Sequence, residues 1–102
     1  MKKELTIFID GHDQQVRTED LKALSPGFLK GFGVFETLLL EKRKIHFLPE
    51  HYRRFVYGCD RYILPKPPSL GELKKILARL IKANGLENAR VRLAAWRKGL
   101  PR

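Results

Sequence analysis

Short runs of apolar residues in the first half of the chain, each bounded by turn signals, are typical of β-strands. Residues 5–9 form one such run, and an Asp-Gly dipeptide that is typical of tight turns follows it. Residues 14–17 can pair back on this run. Residues 33–40 are rich in β-branched and aromatic side chains, which predicts a mostly buried strand. A charged turn and a returning run at residues 45–48 then complete a second hairpin.

After residue 48 the spacing of the apolar residues changes to that of a helix. Pro49 suits the first turn of a helix, because the N–H that proline lacks has no partner there. Apolar residues then recur at spacings of three and four from Tyr52 to Ile63, which predicts an amphipathic helix. We expect this helix to stop before the proline-rich segment at residues 65–68, since proline disfavours helical backbone around it.

A second helix and a last strand complete the pattern. Ser69 and Glu72 have the spacing of a capping box, and Gly85 is a good helix terminator. Residues 89–96 then alternate between two faces, as in a strand. The order β-β-β-β-α-α-β predicts an α+β fold, with an antiparallel sheet of about five strands and two helices packed on one face.

Length and composition limit the class of protein. The 102 residues fit one domain, spanning 1–102. No apolar run is long enough for a membrane helix, and the N-terminus lacks the pattern of a signal peptide. The single cysteine, Cys59, excludes an internal disulfide, and the three histidines do not have the spacing of metal ligands. We therefore expect a cytoplasmic protein without a membrane segment or a metal site.

Charge is unevenly distributed along the chain. Residues 1–51 carry 8 basic and 8 acidic residues, whereas residues 52–102 carry 13 basic and 3 acidic residues, and the net charge is +10. This asymmetry indicates an anionic partner, unless the excess is only a solvated basic face. A non-enzymatic basic module that binds nucleic acid is one interpretation, although no helix-turn-helix, OB or RRM signature is present. Aromatic residues interleaved with the basic ones fit that interpretation: Tyr52, Tyr57, Tyr62 and Trp96.

Two motifs carry a resemblance to a known family. Residues 31–37 read Gly-Phe-Gly-Val-Phe-Glu-Thr, and residues 51–55 read His-Tyr-Arg-Arg-Phe after the hairpin. In this order and spacing they resemble the N-terminal small domain of the fold-type IV pyridoxal-phosphate enzymes. That family holds branched-chain and D-amino acid aminotransferases and 4-amino-4-deoxychorismate lyases. The resemblance covers nearly the whole chain.

The resemblance implies a cofactor and a reaction. The cofactor of the complete enzyme is pyridoxal 5'-phosphate. The Phe-Glu-Thr-Leu-Leu segment and the short hairpin look most like the aminodeoxychorismate lyase branch, which eliminates pyruvate to give 4-aminobenzoate for folate synthesis. A closely related class IV aminotransferase, specific for D-amino or branched-chain amino acids, is the near alternative.

The resemblance also implies roles for individual residues. Arg54 matches the arginine that binds the cofactor phosphate, a task that suits a planar, permanently charged guanidinium. Gly58, one helical turn further on, is expected to leave room beside that guanidinium. His51 is interpreted as structural. Substrate-pocket positions are implied on the strand and beyond the last strand: Val34, Phe35, Glu36, Thr37, Arg97 and Arg102.

The rest of the catalytic machinery is expected elsewhere. In the family, the lysine that forms the Schiff base belongs to a large C-terminal domain, and no lysine here matches it. We therefore predict no catalytic residue in this chain and no activity from the chain alone. A C-terminal domain or partner chain is expected to complete a homodimeric enzyme that acts on an anionic small molecule. Nucleic acid is the less favoured partner.

Overall fold

The computed structural model describes residues 4–9, 11–17 and 33–96. This part of the chain confirms the predicted α+β class and element order. In chain order the elements are β1 (Glu4–Ile9), β2 (His12–Arg17), β3 (Gly33–Glu41), β4 (Lys44–Ile45), α1 (Leu48–Arg61), α2 (Leu70–Asn84) and β5 (Ala89–Trp96). Neither helix in these described ranges has the length and apolar character needed to cross a membrane.

The strands form two antiparallel sheets, where the sequence predicted one. β1 and β2 make a hairpin, and the other strands make a three-stranded sheet in the order β4-β3-β5. β5 pairs with β3 from Gly33, opposite Trp96, to Leu40, opposite Ala89. A Cβ atom at Gly33 would collide with the carbonyl oxygen of Ala95, so β3 has to begin with glycine.

Both helices pack on the same face of the three-stranded sheet, as predicted. Alternation along β3 turns Leu38 and Leu40 to this face, where both are fully buried. The buried cluster consists of Leu38, Leu48, Leu73 and Leu77, with Ile45, Tyr52, Leu70, Val91 and Leu93 packed against it. Burying one such leucine contributes about 1.5–3 kcal/mol.

The opposite face of the sheet is open. Phe35 and Leu39 point to it and are 47% and 49% exposed. The expectation of a mostly buried strand at residues 33–40 is therefore right for one face only. The reason is that α1 and α2 lie on the same side of the sheet.

Helix α1 is shorter than its apolar spacing predicts. It ends at Arg61, and the backbone of Ile63 turns back with a left-handed φ of 55°. The N–H of Leu64 then donates to the carbonyl oxygen of Cys59 at 2.8 Å and closes the helix end. Tyr62 and Ile63, although they continue the apolar spacing, are therefore exposed.

Helix α2 has the predicted ends. Ser69 and Glu72 exchange both hydrogen bonds of the capping box, because the Ser69 hydroxyl accepts from the Glu72 N–H and the Glu72 carboxylate accepts from the Ser69 N–H. These bonds lower the pKa of Glu72. Gly85 ends the helix with a left-handed φ of 62°, a conformation that glycine adopts without strain.

The β1–β2 hairpin is attached to α2 by two side chains. The buried Asn84 accepts a hydrogen bond from the Thr6 N–H at 2.8 Å and donates to the Thr6 carbonyl oxygen at 2.9 Å. Arg79 donates from Nε and Nη2 to the two oxygens of Asp13, at 2.7 and 2.8 Å. The small sheet is thereby held on the helical layer.

Candidate functional site

Arg54 and Glu36 meet where α1 packs on β3. The Arg54 Nε donates to Oε2 of Glu36 at 2.8 Å, and its Nη2 donates to Oε1 at 2.7 Å. Two parallel hydrogen bonds of this kind align the guanidinium with the carboxylate plane. Glu36 therefore determines the direction in which the Arg54 head points.

His51 lies one turn before Arg54 and completes the cluster. Its Nδ1 is 2.7 Å from Oε1 of Glu36. Because an ionised carboxylate only accepts hydrogen bonds, Nδ1 must carry the proton and donate it to Glu36. Arg54 Nη2 is 3.3 Å from the same nitrogen, which in this tautomer has no lone pair to offer. In this geometry His51 holds the Glu36 carboxylate, and its structural role stays a prediction.

The cluster keeps Glu36 ionised. Hydrogen bonding from Arg54 lowers the pKa of the Glu36 carboxyl and outweighs the burial that raises it, and His51 lowers it further. The same pairing raises the pKa of Arg54. The Glu36 side chain is 12% exposed, whereas that of Arg54 is 66% exposed. The carboxylate is thus enclosed, and the guanidinium reaches solvent.

Arg54 retains donors for a ligand. A guanidinium has five N–H donors, and Glu36 takes only those on the edge formed by Nε and Nη2. Within the described residues, Nη1 makes no hydrogen bond, and the protonated Nδ1 of His51, 3.3 Å from Nη2, cannot accept the second N–H of Nη2. This second edge is suited to binding a phosphate or carboxylate by two parallel bonds.

Gly58 serves a different purpose from the one expected. A Cβ atom at this position would lie 3.2 Å from Cγ1 of Val34, closer than an ordinary van der Waals contact. The missing side chain therefore lets α1 approach β3 closely. The three atoms nearest to that Cβ position all belong to Val34.

The predicted pocket residues of β3 are divided between two faces. Val34 and Glu36 face the helices, and Phe35 and Thr37 are on the open face, as strand alternation requires. Arg97 and Arg102 lie outside the described residues. Of the four predicted pocket residues that the structure describes, Glu36 is the one that it places in hydrogen-bond contact with Arg54.

Arg92 is a basic residue of β5. It lies on the open face, with its guanidinium carbon 5.0 Å from the centroid of the Phe35 ring. The alternation of residues 89–96 indicates the face of Arg92. Its proximity to Phe35 depends on the pairing of β3 with β5, which no local pattern determines.

The remaining candidate chemistry is limited. Among residues 4–9, 11–17 and 33–96, no group of three or more His, Cys, Asp or Glu side chains is arranged to hold a metal ion. Cys59 is buried, and its burial raises the pKa of the thiol. A buried thiol of this kind is a packing residue and a poor nucleophile.

Comparison with known proteins identifies the family. A sequence model of the family described as amino-transferase class IV matches residues 33–102. The chain belongs to this family. D-alanine aminotransferases of Staphylococcus haemolyticus and of two strains of Staphylococcus epidermidis are each 27% identical to this class IV aminotransferase chain over 95 residues. The alignment covers 93% of the chain and 32% of each relative, so the chain spans about a third of their length.

The family assignment agrees with the resemblance of the two sequence motifs. The matched segment begins at Gly33, the first residue of β3, and contains Glu36, His51 and Arg54. The β1–β2 hairpin precedes the matched segment. The cluster around Arg54 is therefore a property of the class IV aminotransferase part of the chain.

Proposed function

We propose that this chain is the N-terminal small domain of a pyridoxal-phosphate-dependent class IV aminotransferase, and that Arg54 binds the cofactor phosphate. The observation that carries the proposal is the side-on pairing of Arg54 with Glu36, which orients the guanidinium and leaves its other edge exposed. In this proposal, the Schiff-base lysine comes from a large domain in the rest of the protein or in a partner chain, and the complete enzyme is a homodimer.

The donor set of Arg54 fits the phosphate end of this cofactor. Pyridoxal phosphate, when bound, supplies the electron sink for chemistry at the amino carbon of a substrate. Arg54 would hold two phosphate oxygens by its Nη1–Nη2 edge. Because Glu36 orients the guanidinium beforehand, less conformational entropy is lost on binding. Glu36 also neutralises the charge of Arg54, so the contact between Arg54 and the phosphate depends on the geometry of its hydrogen bonds. Long-range attraction of the anionic cofactor comes from the basic second half of the chain.

Two reactions are candidates for the complete enzyme. The relatives named D-alanine aminotransferase support amino-group transfer with a D-amino acid, which we place first. The Phe-Glu-Thr-Leu-Leu segment supports pyruvate elimination from aminodeoxychorismate, which we place second. Both use the same cofactor, so the role proposed for Arg54 is common to them. The predicted cytoplasmic location is compatible with either reaction.

The test uses the protein as its host makes it, with the polypeptide that carries the large domain. Cofactor affinity is measured by titration with pyridoxal phosphate, and turnover is measured with D-alanine and a 2-oxo acid, and with aminodeoxychorismate. We expect Arg54→Gln to weaken cofactor binding about 100-fold, since it removes two charge-assisted hydrogen bonds.

Arg79→Gln is the matched control. It also breaks a two-bonded arginine–carboxylate pair, but that pair joins α2 to the β1–β2 hairpin. We expect it to change cofactor affinity by less than about twofold. Equal effects of the two substitutions would contradict the role of Arg54.

The nucleic-acid module remains the alternative from a different class. Its support is the basic excess of residues 52–102. It predicts oligonucleotide binding that weakens steeply with salt, and no cofactor uptake by the complete protein. Both measurements can be made on the same preparation.

A further inference from the structure

A groove lies between α2 and the hairpin of β3 and β4, on the side of the sheet that carries the helices. Its volume is about 720 Å³, within the range of roughly 300–1,000 Å³ that is typical of small-molecule sites. Side chains from residues 43–48 form one wall, and side chains from residues 74–87 form the other. None of the described residues that line the groove belongs to the Arg54 cluster, so the groove is a separate feature of the chain.

The floor of the groove is apolar. Leu48 and Leu77 are buried beneath it, and the other apolar residues that line it keep part of their surface exposed. Ala78 is exposed on the α2 wall, where its small side chain leaves the floor uncovered. A hydrocarbon chain in the groove would remove this apolar surface from water, which favours binding. The apolar lining consists of Ile45, Leu48, Leu77, Ala78, Ile81 and Leu86.

The rim of the groove is positively charged. Its charged residues are three cations, Arg43, Lys74 and Lys82, and one carboxylate, that of Glu87. Within the part of the chain that the structure describes, none of these four side chains forms an ion pair. The cations therefore retain their donors for an anionic group, and the positive excess of the rim attracts one.

Arg43 is the cation whose backbone is held in place at one end of the groove. It follows Lys42 in the tight turn between β3 and β4, where the two residues have left-handed φ angles of 67° and 51° respectively. The Lys42 N–H donates to Oδ1 of Asn88 at 3.1 Å, and the Arg43 N–H donates to the carbonyl oxygen of Glu87 at 2.9 Å. These two bonds attach the turn to the segment after α2. The planar guanidinium of Arg43 can then bind a carboxylate by two parallel hydrogen bonds.

The dimensions of the groove restrict the kind of ligand. Eleven residues line it, fewer than the roughly 20–30 residues that each partner contributes to a stable protein–protein interface. Along α2, the distance from Lys74 to Lys82 is about 12 Å, because each helical residue rises about 1.5 Å. An extended alkyl chain of about ten carbons has a similar length, since its C–C bonds of about 1.5 Å form a zigzag. The groove therefore fits a small molecule with one anionic end and a hydrocarbon chain.

We propose that this groove binds a fatty acid, with the carboxylate on Arg43 and the alkyl chain lying along α2 toward Leu48. Lys82 lies near the end of α2, on the same side of the groove as Gly85 and Glu87, and adds a second positive charge near the carboxylate. An inorganic anion would leave the apolar floor in contact with water, and an uncharged hydrocarbon would leave the cations unused. The site stands apart from the proposed function, because it involves neither Arg54 nor the cofactor.

The experiment titrates decanoate into the complete protein, below the concentration at which decanoate forms micelles. Binding is measured by calorimetry, and the amide NMR signals of residues 43–48 and 74–87 report where it occurs. Acetate, which lacks the chain, and decanol, which lacks the charge, are titrated in parallel. We expect decanoate to bind and to shift these signals, and the other two compounds to bind at least about tenfold more weakly.

Two substitutions test the location of the site. Ala78→Glu places a carboxylate in the groove at an exposed helical position, and Arg43→Gln removes the proposed partner of the ligand carboxylate. We expect each to weaken decanoate binding about tenfold or more. Ala83→Glu and Lys44→Gln are the matched controls, because they make the same changes of charge at exposed residues of the same helix and hairpin that do not line the groove. The controls should change the affinity by less than about twofold.

The outcomes separate this ligand from other occupants and from the proposed function. Decanoate affinity that is unchanged by Ala78→Glu and Arg43→Gln overturns the site, and so does equally tight binding of decanol. If decanoate does not bind and the groove signals change with protein concentration, a second copy of the chain covers the groove and the proposal fails. Arg54→Gln should leave decanoate binding unchanged. A protein that binds decanoate in this way and takes up no pyridoxal phosphate would therefore contradict the proposed function and support the groove site.

Discussion

Two arginine–carboxylate pairs in this chain have nearly the same geometry and different surroundings. Arg54 donates to Glu36 at 2.8 and 2.7 Å, and Arg79 donates to Asp13 at 2.7 and 2.8 Å. In both pairs Nε and Nη2 are the donors. The hydrogen bonds alone therefore do not distinguish the two sites.

The surroundings of each pair distinguish them. Glu36 is 12% exposed and receives a third bond from His51, whereas Asp13 is 35% exposed and, among the described residues, bonds to Arg79 without such a partner. Arg79 also lies over the ring of Phe8, 5.8 Å from its centroid, and so contacts both strands of the hairpin. The Arg79 pair attaches one element to another, and the Arg54 pair orients donors toward solvent. The same contact thus attaches two elements in one place and, in the proposed function, positions a ligand-binding guanidinium in the other.

Among substitutions of the residues that the two arginines and the hairpin depend on, Glu36→Gln is expected to have the largest effect, because it changes both stability and cofactor affinity. The neutral amide offers one acceptor where the carboxylate offered two, and its NH2 group faces the donors of Arg54 and His51. We expect the free energy of unfolding to fall by about 1–3 kcal/mol and cofactor affinity to fall about tenfold. Urea denaturation and cofactor titration measure these quantities. Asp13→Asn is the isosteric control. An equal loss of cofactor affinity in Asp13→Asn would contradict a role in cofactor binding that is specific to the Arg54 pair.

Asn84→Ala is expected to have the next largest effect. It leaves the Thr6 N–H and carbonyl oxygen without their partner and should lower the free energy of unfolding by about 1–3 kcal/mol. Hydrogen exchange at the Thr6 amide should accelerate, while the cofactor affinity stays constant. Asn88→Ala is the control, since Asn88 accepts from the exposed Lys42 N–H. Unchanged Thr6 exchange would show that Asn84 does not hold the hairpin.

As the pH falls, the two carboxylates should begin to lose their contributions to stability at different pH values. The folded pKa of Glu36 lies below the value of 4.5 expected when unfolded, so the unfolded state binds more protons in that interval. The contribution of Glu36 is therefore complete above pH 4.5 and is lost as pH falls through the folded pKa. The stability difference between wild type and Glu36→Gln should shrink in that interval. The folded pKa of Asp13 is lowered from 3.8, so its contribution should begin to be lost only below pH 3.8.

The smallest effect is expected from Arg79→Gln. The pair it breaks is partly solvated, and Asn84 continues to hold β1. We expect faster hydrogen exchange in β2, a smaller loss of stability than for Asn84→Ala, and unchanged exchange in β3. A loss larger than that of Asn84→Ala would mean that the surface pair, and not the buried amide, attaches the hairpin.

The sequence by itself determined the features that depend on residues close together in the chain. The capping box of Ser69 and Glu72 and the stop at Gly85 each involve groups within about one helical turn. The placement of His51 and Arg54 on one side of α1 follows from their spacing of three. Local backbone geometry decides such features, so a local pattern is sufficient to predict them.

The tertiary structure alone decided which distant residues meet. The partner of Arg54 is Glu36, 18 residues earlier, and the partner of Asn84 is Thr6, 78 residues earlier. The pairing of β3 with β5 brings Arg92 to Phe35, and the end of α1 at Arg61 exposes apolar residues that continue its spacing. These contacts depend on how helices and strands pack against each other. Many side chains contribute to that packing at once, so a short stretch of sequence does not determine it.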